Sequence, residues 1–240
     1  MTKFFKDHSA RIKKYDVIEK DGEDYFIETQ EWVDYKNKRK TEKIISKGNL
    51  PPHIIDLSFD DLIKMNDRVD KLKMYVLNFD EKFKHIHLYF WGSKNGTQKT
   101  TTASILAKEL ALSGHSVEFI LMSDLSKLLT KEGFEEEAND EINRYLNTDF
   151  LIIDDAFDGK KITVYKSGYQ IPFIDTFLRK RLETKRKATC FTSNIPLSKI
   201  DSDIFGVSLT KLLERSIFDP WEFTVPYSLR NDFDPTSLWS

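Results

Sequence analysis

Lys99 and Thr100 close a short turn, SKNGTQKT, between an apolar run (IHLYFW) and a helical one (ILAKELAL). A tight turn between a buried strand and a helix N-terminus aims successive backbone N–H groups at one point, and the helix dipole adds partial positive charge there. Such a turn cradles a polyphosphate: a lysine reaches the β- and γ-phosphates, and the hydroxyl after it holds magnesium. On this reading Ser93, Lys94, Asn95, Gly96, Thr97, Gln98, Lys99, Thr100 and Thr101 form the cradle for ATP or ADP, with Mg2+ on Thr100. The sequence departs from the usual spelling, GxxxxGK[ST], at two positions. Ser93 stands at the first glycine position, with Gly92 one place early, and Gln98 replaces the second glycine. If that second position needs a positive φ, glutamine there costs about 1 kcal/mol, against the ~8 kcal/mol of a micromolar nucleotide site. Binding survives such a penalty. Turnover is more exposed to it, because a misalignment that grows in the transition state costs several-fold in rate.

A second constellation is DFLIIDDAFD, an apolar strand ending in Asp154 and Asp155. Unpaired buried carboxylates are expensive, so two at a strand end are hard to explain as packing. At the C-terminal edge of a parallel sheet, where ligands of open α/β folds bind, they are placed to hold magnesium and polarise a water. Asp154 is the expected metal residue and Asp155 the residue that orients the attacking water. A third strand, ATCFTSN, brings Asn194 to the same edge, where its amide could bridge that water and the γ-phosphate.

The elements that must position these groups are legible in the hydrophobic pattern. Short apolar strands (IHLYFW, SVEFILM, DFLIID, ATCFTSN) alternate with helical stretches (TTTASILAKELALSG, SDLSKLLTKEG, EEEANDEINRYLN, GYQIPFIDTFLRKRLETKRK, SLTKLLERS). That alternation predicts an α/β fold, a mostly parallel sheet with helices on both faces. Upstream, DVIEKDGEDYFIET predicts a hairpin turning at Asp21-Gly22, and a basic helix from Glu31 runs to Pro51-Pro52. Leu62, Met65, Val69, Leu72, Val76 and Phe79 have the spacing of one amphipathic helix capped by Ser58 or Asp60. A soft boundary at the prolines divides the chain into residues 1–50, a small N-terminal segment, and residues 51–240, the main domain.

With 240 residues, 40% of them hydrophobic, and no apolar run of membrane-spanning length, a membrane role is not expected. The first residues lack the apolar stretch of a secretory signal. The single cysteine, Cys190, excludes an internal disulfide and a cysteine zinc site, which points to a reducing cytoplasm. A net charge of −2 gives no global pull toward nucleic acid, so any DNA contact must come from local basic patches.

Together these motifs resemble the AAA+ ATPases of the DnaC/DnaI helicase-loader type and the similar IstB-like transposition ATPases. The likeness runs from about Leu50 to Arg230: NLPPHIIDLSFDD is similar to the family's entry segment, FLRKRLETKRKATCFTSNIPL to its helix, basic turn and sensor strand, and LTKLLERS with YSLR to its closing motifs. The resemblance implies an AAA+ P-loop NTPase core that self-associates through the ATPase domain, binds single-stranded DNA and delivers a replicative DNA helicase, with residues 1–50 as the helicase-docking segment. It gives Lys99 and Thr100 to phosphate and magnesium, Asp154 and Asp155 to metal and water, and Asn194 to the sensor role. A neighbouring subunit's arginine completes such sites. Where the family has its first arginine this chain has Lys211, so Arg215 is the candidate finger.

Two alternatives stay open at this stage, a transposition helper with the same core and a P-loop module that uses nucleotide as structural glue. The chain's economy of length suggests a phage or mobile-element version. Two further stretches could touch a single strand. Lys160, Lys161, Tyr165, Lys166 and Tyr169 interleave cations with rings, and RKRLETKRK reads first as an exposed helix face and second as a phosphate track.

Overall fold

The computed structural model describes residues 12–21, 23–62, 66–132, 134–158, 171–217 and 219–224. The expected hairpin forms from β1 (Tyr15–Lys20) and β2 (Glu23–Glu28), paired antiparallel with Val17 opposite Phe26 and Ile18 opposite Tyr25. Helix α1 (Gln30–Lys47) follows, its first turn capped by Thr29, whose hydroxyl accepts from the Trp32 amide at 3.2 Å.

The single helix expected after the prolines is divided. Ser58 is a cap, but of the short turn Phe59–Asp61: its hydroxyl accepts from the Asp60 amide while the Asp61 carboxylate takes the Ser58 amide at 2.7 Å. This closes the turn on itself, and α2 (Asn66–Leu77) is a separate element. The apolar stripe is real across both pieces: Leu62, Leu72 and Phe79 are buried, with Val69 and Val76 packed beside them.

The central sheet alternates with helices as the sequence predicts: β3 (Leu88–Trp91), α3 (Lys99–Leu112), β4 (Val117–Leu121), α4 (Met122–Leu129), α5 (Glu136–Asn147), β5 (Phe150–Asp154), α6 (Ile171–Arg179), β6 (Ala188–Ser193), α7 (Ser202–Phe205) and α8 (Val207–Ser216). The closing strand, β7 (Pro220–Glu222), was not expected. At three residues it is too short to show alternation, and its proline suits only an edge. The strand order is β4-β5-β6-β3-β7 and every pairing is parallel. Successive side chains point to opposite faces, yet both sets are apolar because both faces are covered. Leu88, Phe90 and Ile152 pack under α2 and α3, whereas Tyr89, Ile153 and Phe191 pack under the layer of α4, α5, α6 and α8. The end of α1 joins the first layer through Ile45, and the Phe119 amide of edge strand β4 donates to the Gly48 carbonyl at 2.9 Å.

The run RKRLETKRK departs most from expectation. Arg181, in the widened turn 180–184 that extends α6, is fully buried. Its guanidinium donates to the carbonyls of Tyr145 (2.6 Å), Thr148 (3.0 Å) and Ala188 (2.6 Å) and to the Thr189 hydroxyl (2.9 Å). Most neighbouring cations are paired: Arg179 with Asp175, Lys180 with Glu132, and Lys187 with Asp149 at 2.8 Å. The run fastens the base of the sheet more than it presents positive charge.

His87, at the start of β3, is buried beside Arg181, and burial pushes its pKa down from 6.5 to about 4, with the Arg181 charge adding to the effect. Between those two values the unfolded chain takes up a proton that the folded one refuses, so stability falls as pH drops from 6.5 toward 4. The shift corresponds to on the order of 3 kcal/mol. Urea midpoints measured at pH 7 and pH 4.5 are expected to show this loss, and His87→Asn should flatten the profile across that window.

Candidate nucleotide site

The C-terminal ends of β3, β5 and β6 meet at one edge of the sheet, and the residues singled out there surround one cleft of about 230 Å³. Its walls are Asn95 to Thr101 on one side, Asp154 and Asp155 on a second, and Asn194 on a third. Ser93 and Lys94 are exposed and stand outside this wall, although the Lys94 carbonyl faces inward to accept from Lys99.

The loop is built by backbone geometry. Gly96 has φ +80° and Gln98 φ +68°, so the position where Gln98 replaces glycine does require the left-handed region. Gly92 is fixed for a different reason: a Cβ there would lie 2.5 Å from the Phe223 carbonyl oxygen. The glycine one place early is therefore demanded by β7, whose following residue donates its amide to the Trp91 carbonyl at 2.6 Å. Helix α3 starts at Lys99, and its first internal bond runs from the Thr102 amide to the Gln98 carbonyl at 2.8 Å. The amides of Lys99, Thr100 and Thr101 precede that ladder, no side chain caps them, and no acidic residue lies in the first turn. They form an N-terminal anion cradle at the head of a 14-residue helix.

Lys99 is buried, and its Nζ donates to the carbonyls of Gly92 (3.1 Å) and Lys94 (3.2 Å) and to the Thr97 hydroxyl (3.0 Å). Across the cleft the Thr100 hydroxyl donates to Asp154 Oδ1 at 2.7 Å, joining the loop to β5. Hydroxyl and carboxylate oxygens are the donor set that Mg2+ prefers, with phosphate and water filling its other positions. Among the described residues no group of three or more His, Cys, Asp or Glu could hold a metal without such help.

Thr192 is the candidate site residue that sequence reasoning missed. Its hydroxyl donates to the same Asp154 oxygen and accepts from the Asp155 amide at 3.2 Å, so one buried side chain positions both acids. The available signal was a hydroxyl in an otherwise apolar strand, two residues before Asn194. The acidic turn itself has two residues at positive φ, Asp155 (+53°) and Phe157 (+61°). Phe157 is clamped by Phe191 at 5.4 Å and Phe205 at 5.6 Å, which supplies the surrounding packing that such backbone strain requires. Arg215 is not brought to this cleft. It lies exposed on α8, paired with Glu183.

Removing the glutamine side chain at positive φ is expected to relieve up to about 1 kcal/mol of local strain. Gln98→Gly should therefore leave nucleotide affinity within a few-fold of the parent while raising any hydrolysis rate several-fold, as read by titration and by phosphate release.

With its strand order, all-parallel pairing and the loop before α3 facing Asp154 and Asp155, the chain has an α/β fold that matches those of solved replication proteins. No protein family and no curated protein matches the sequence. Among solved structures, the DnaC helicase loader superposes with a TM-score of 0.55 at 17% identity, over 72% of this chain and 100% of that one. DnaI gives a TM-score of 0.55 at 19% identity over 74% of this chain and 93% of that one. The replication initiator DnaA, bound to AMPPCP and single-stranded DNA, gives 0.57 at 16% identity over 75% of this chain and 53% of that one. The chain spans about half the length of the replication initiators it matches. At these identities the likeness is one of fold.

Proposed function

We propose that this protein is an ATP-binding, Mg2+-dependent ATPase of the AAA+ type that acts in DNA replication as a helicase loader. The observation that carries the reading is the convergence of Lys99, Thr100, Asp154, Asp155 and Asn194 on one cleft, with the Thr100–Asp154 bond of 2.7 Å closing it. In this reading the loop amides and Lys99 would hold the β- and γ-phosphates, Thr100 and Asp154 would hold the magnesium ion, and Asp155 and Asn194 would orient the attacking water. The metal supplies charge neutralisation at the phosphate oxygens.

The loader assignment draws on the fold likeness to DnaC and DnaI and on the N-terminal segment. The hairpin of β1 and β2 is exposed along its whole length and carries apolar side chains on both faces, Val17 and Phe26 on one and Ile18 and Tyr25 on the other. A lone hairpin is marginal in water, so residues 1–50 suit a segment completed by a partner, here a replicative helicase. The single-stranded DNA assignment follows from the likeness to DnaA with its bound strand. The cation and ring stretch holding Lys160, Lys161, Tyr165, Lys166 and Tyr169 lies outside the described residues, as does the YSLR motif near Arg230. Self-association would bring Arg215 of one copy to the cleft of the next.

A second reading, nucleotide held as structural glue with little turnover, is favoured by one observation, Gln98 at φ +68°. The deciding experiment is hydrolysis with and without single-stranded DNA, together with co-purification with replicative helicases in ATP and in ADP. Strand-stimulated turnover and ATP-dependent retention of a helicase are expected. Intact nucleotide binding with no turnover under any condition would favour the second reading, and failure to retain any helicase would remove the loader assignment.

A further inference from the structure

Asn194, one wall of the cleft, stands in the turn that leaves β6 after Ser193. Its amide can serve a ligand there only if that turn keeps one shape, and buried groups on either side set the shape. The Ser193 hydroxyl accepts from the Ile195 amide at 3.1 Å and donates to the Ala156 carbonyl at 2.7 Å, which joins this turn to the acidic turn after β5. The Ala156 amide in return donates to the Thr192 carbonyl at 2.7 Å. A further bond comes from the neighbouring strand: the Tyr89 hydroxyl of β3 donates to the Ile195 carbonyl at 2.7 Å. Ile195 is held at its amide and at its carbonyl, so Asn194 sits between two anchored residues.

Tyr89 is fully buried. Burial raises its pKa, and the hydroxyl keeps its proton and donates. A buried phenol needs such a partner, and here the partner belongs to the turn that carries Asn194. The ring has a second task. It stacks at 6.4 Å on Phe157, the residue held at φ +61° in the acidic turn, and lies 6.4 Å from Phe191 of β6. Three residues further along the chain Gly92 opens the phosphate loop, and its amide donates to the Ser193 carbonyl at 3.1 Å. One side chain on β3 therefore touches both turns that face the phosphate loop.

We propose that Tyr89 is a positioning residue for the water-orienting pair, Asp155 and Asn194: its hydroxyl fixes the turn that carries Asn194 while its ring braces Phe157 beside Asp155, so that amide and carboxylate face the cleft in one arrangement. The inference rests on the ATPase reading of the cleft. It assigns Tyr89 to the hydrolytic step and not to binding, because the bonds of Lys99 and Thr100 that close the phosphate loop do not involve it.

Tyr89→Phe keeps the ring and removes the hydroxyl, and the full chain is tested in two ways. Without nucleotide, hydrogen exchange of the Ile195 amide is expected to quicken about 10-fold as the turn loosens. In steady-state hydrolysis kcat is expected to fall about 10-fold, while KM and the affinity for a non-hydrolysable ATP analogue stay within about 2-fold of the parent. Ser193→Ala loosens the same turn, so the double variant should be little worse than the poorer single one. Ile142→Ala, a buried change in α5 outside the cleft, serves as a control for lost stability and should leave the Ile195 exchange and kcat at parent values. Unchanged exchange at Ile195 in Tyr89→Phe would overturn the proposal. So would an equal fall in kcat in Ile142→Ala at a matched melting temperature, or a loss of analogue affinity as large as the loss of kcat. A parent chain without turnover would remove the ATPase reading and the hydrolytic role with it, and the exchange measurement would decide separately whether Tyr89 holds the Asn194 turn.

Discussion

Replacing Lys99 with alanine is expected to lower ATP affinity by about 100-fold or more and to abolish hydrolysis. The loss has two physical sources. One is the ammonium itself, which in the proposed site would reach the phosphates from the base of the loop, where charge-assisted hydrogen bonds contribute roughly 1.5–3 kcal/mol and about 2.7 kcal/mol corresponds to the stated factor. The other is the loop's own geometry, because the same Nζ ties together Gly92, Lys94 and Thr97. Lys99→Met keeps the aliphatic stem and removes only the charge, so calorimetric titration of the two variants separates the contributions. If alanine weakens binding further than methionine does, the difference belongs to loop order. An affinity for ATP unchanged by either substitution would show that nucleotide does not bind at this loop.

The largest expected effect on stability is at Arg181. Arg181→Met is expected to destabilise the fold by about 3–5 kcal/mol, because three carbonyls and a hydroxyl lose their donor inside the protein. That corresponds to a fall in melting temperature of roughly 10 °C for a chain of this size, readable by thermal unfolding at constant pH. Burial pushes the guanidinium pKa down, to about 9, which leaves it charged at neutral pH. Its partners are the end of α5 (Tyr145), the residue after it (Thr148) and the start of β6 (Ala188, Thr189), so one side chain locks three parts of the sheet's base. Arg181→Lys supplies three donors without the planar fork and should fall between the parent and methionine.

Arg181 also shows where sequence reading stops. In RKRLETKRK its type and neighbours are those of a solvated helix face, and only the widened turn at 180–184 rotates it inward. The pattern carried the alternation of strands and helices, because covered parallel strands are apolar on both faces and this is visible without coordinates. It also carried the cleft, because phosphate loops and strand-end acids depend on local spacing. What it lacked were relations between distant residues. Thr192 is a plain hydroxyl until β6 lies beside β5, when it reaches Asp154 and the Asp155 amide. The early glycine at position 92 makes sense only once Phe223 has been brought against it. Ser58 did mark a cap, but its capping box closes on Asp61 within one turn, and the continuous apolar stripe hid the break.

The pairing of β3 has a consequence for biogenesis. Leu88 lies against Cys190, and Tyr89 against Pro220, so the strand that launches the phosphate loop is flanked on both sides by partners synthesised at least 100 residues later. Contacts so remote in sequence are entropically costly to close and slow to form. During translation β3 has no strand partner until β6 has been made, and its second edge stays open until residue 222 follows. Of the described sheet, the strand that leads into the Lys99 turn is thus the last to gain both of its neighbours.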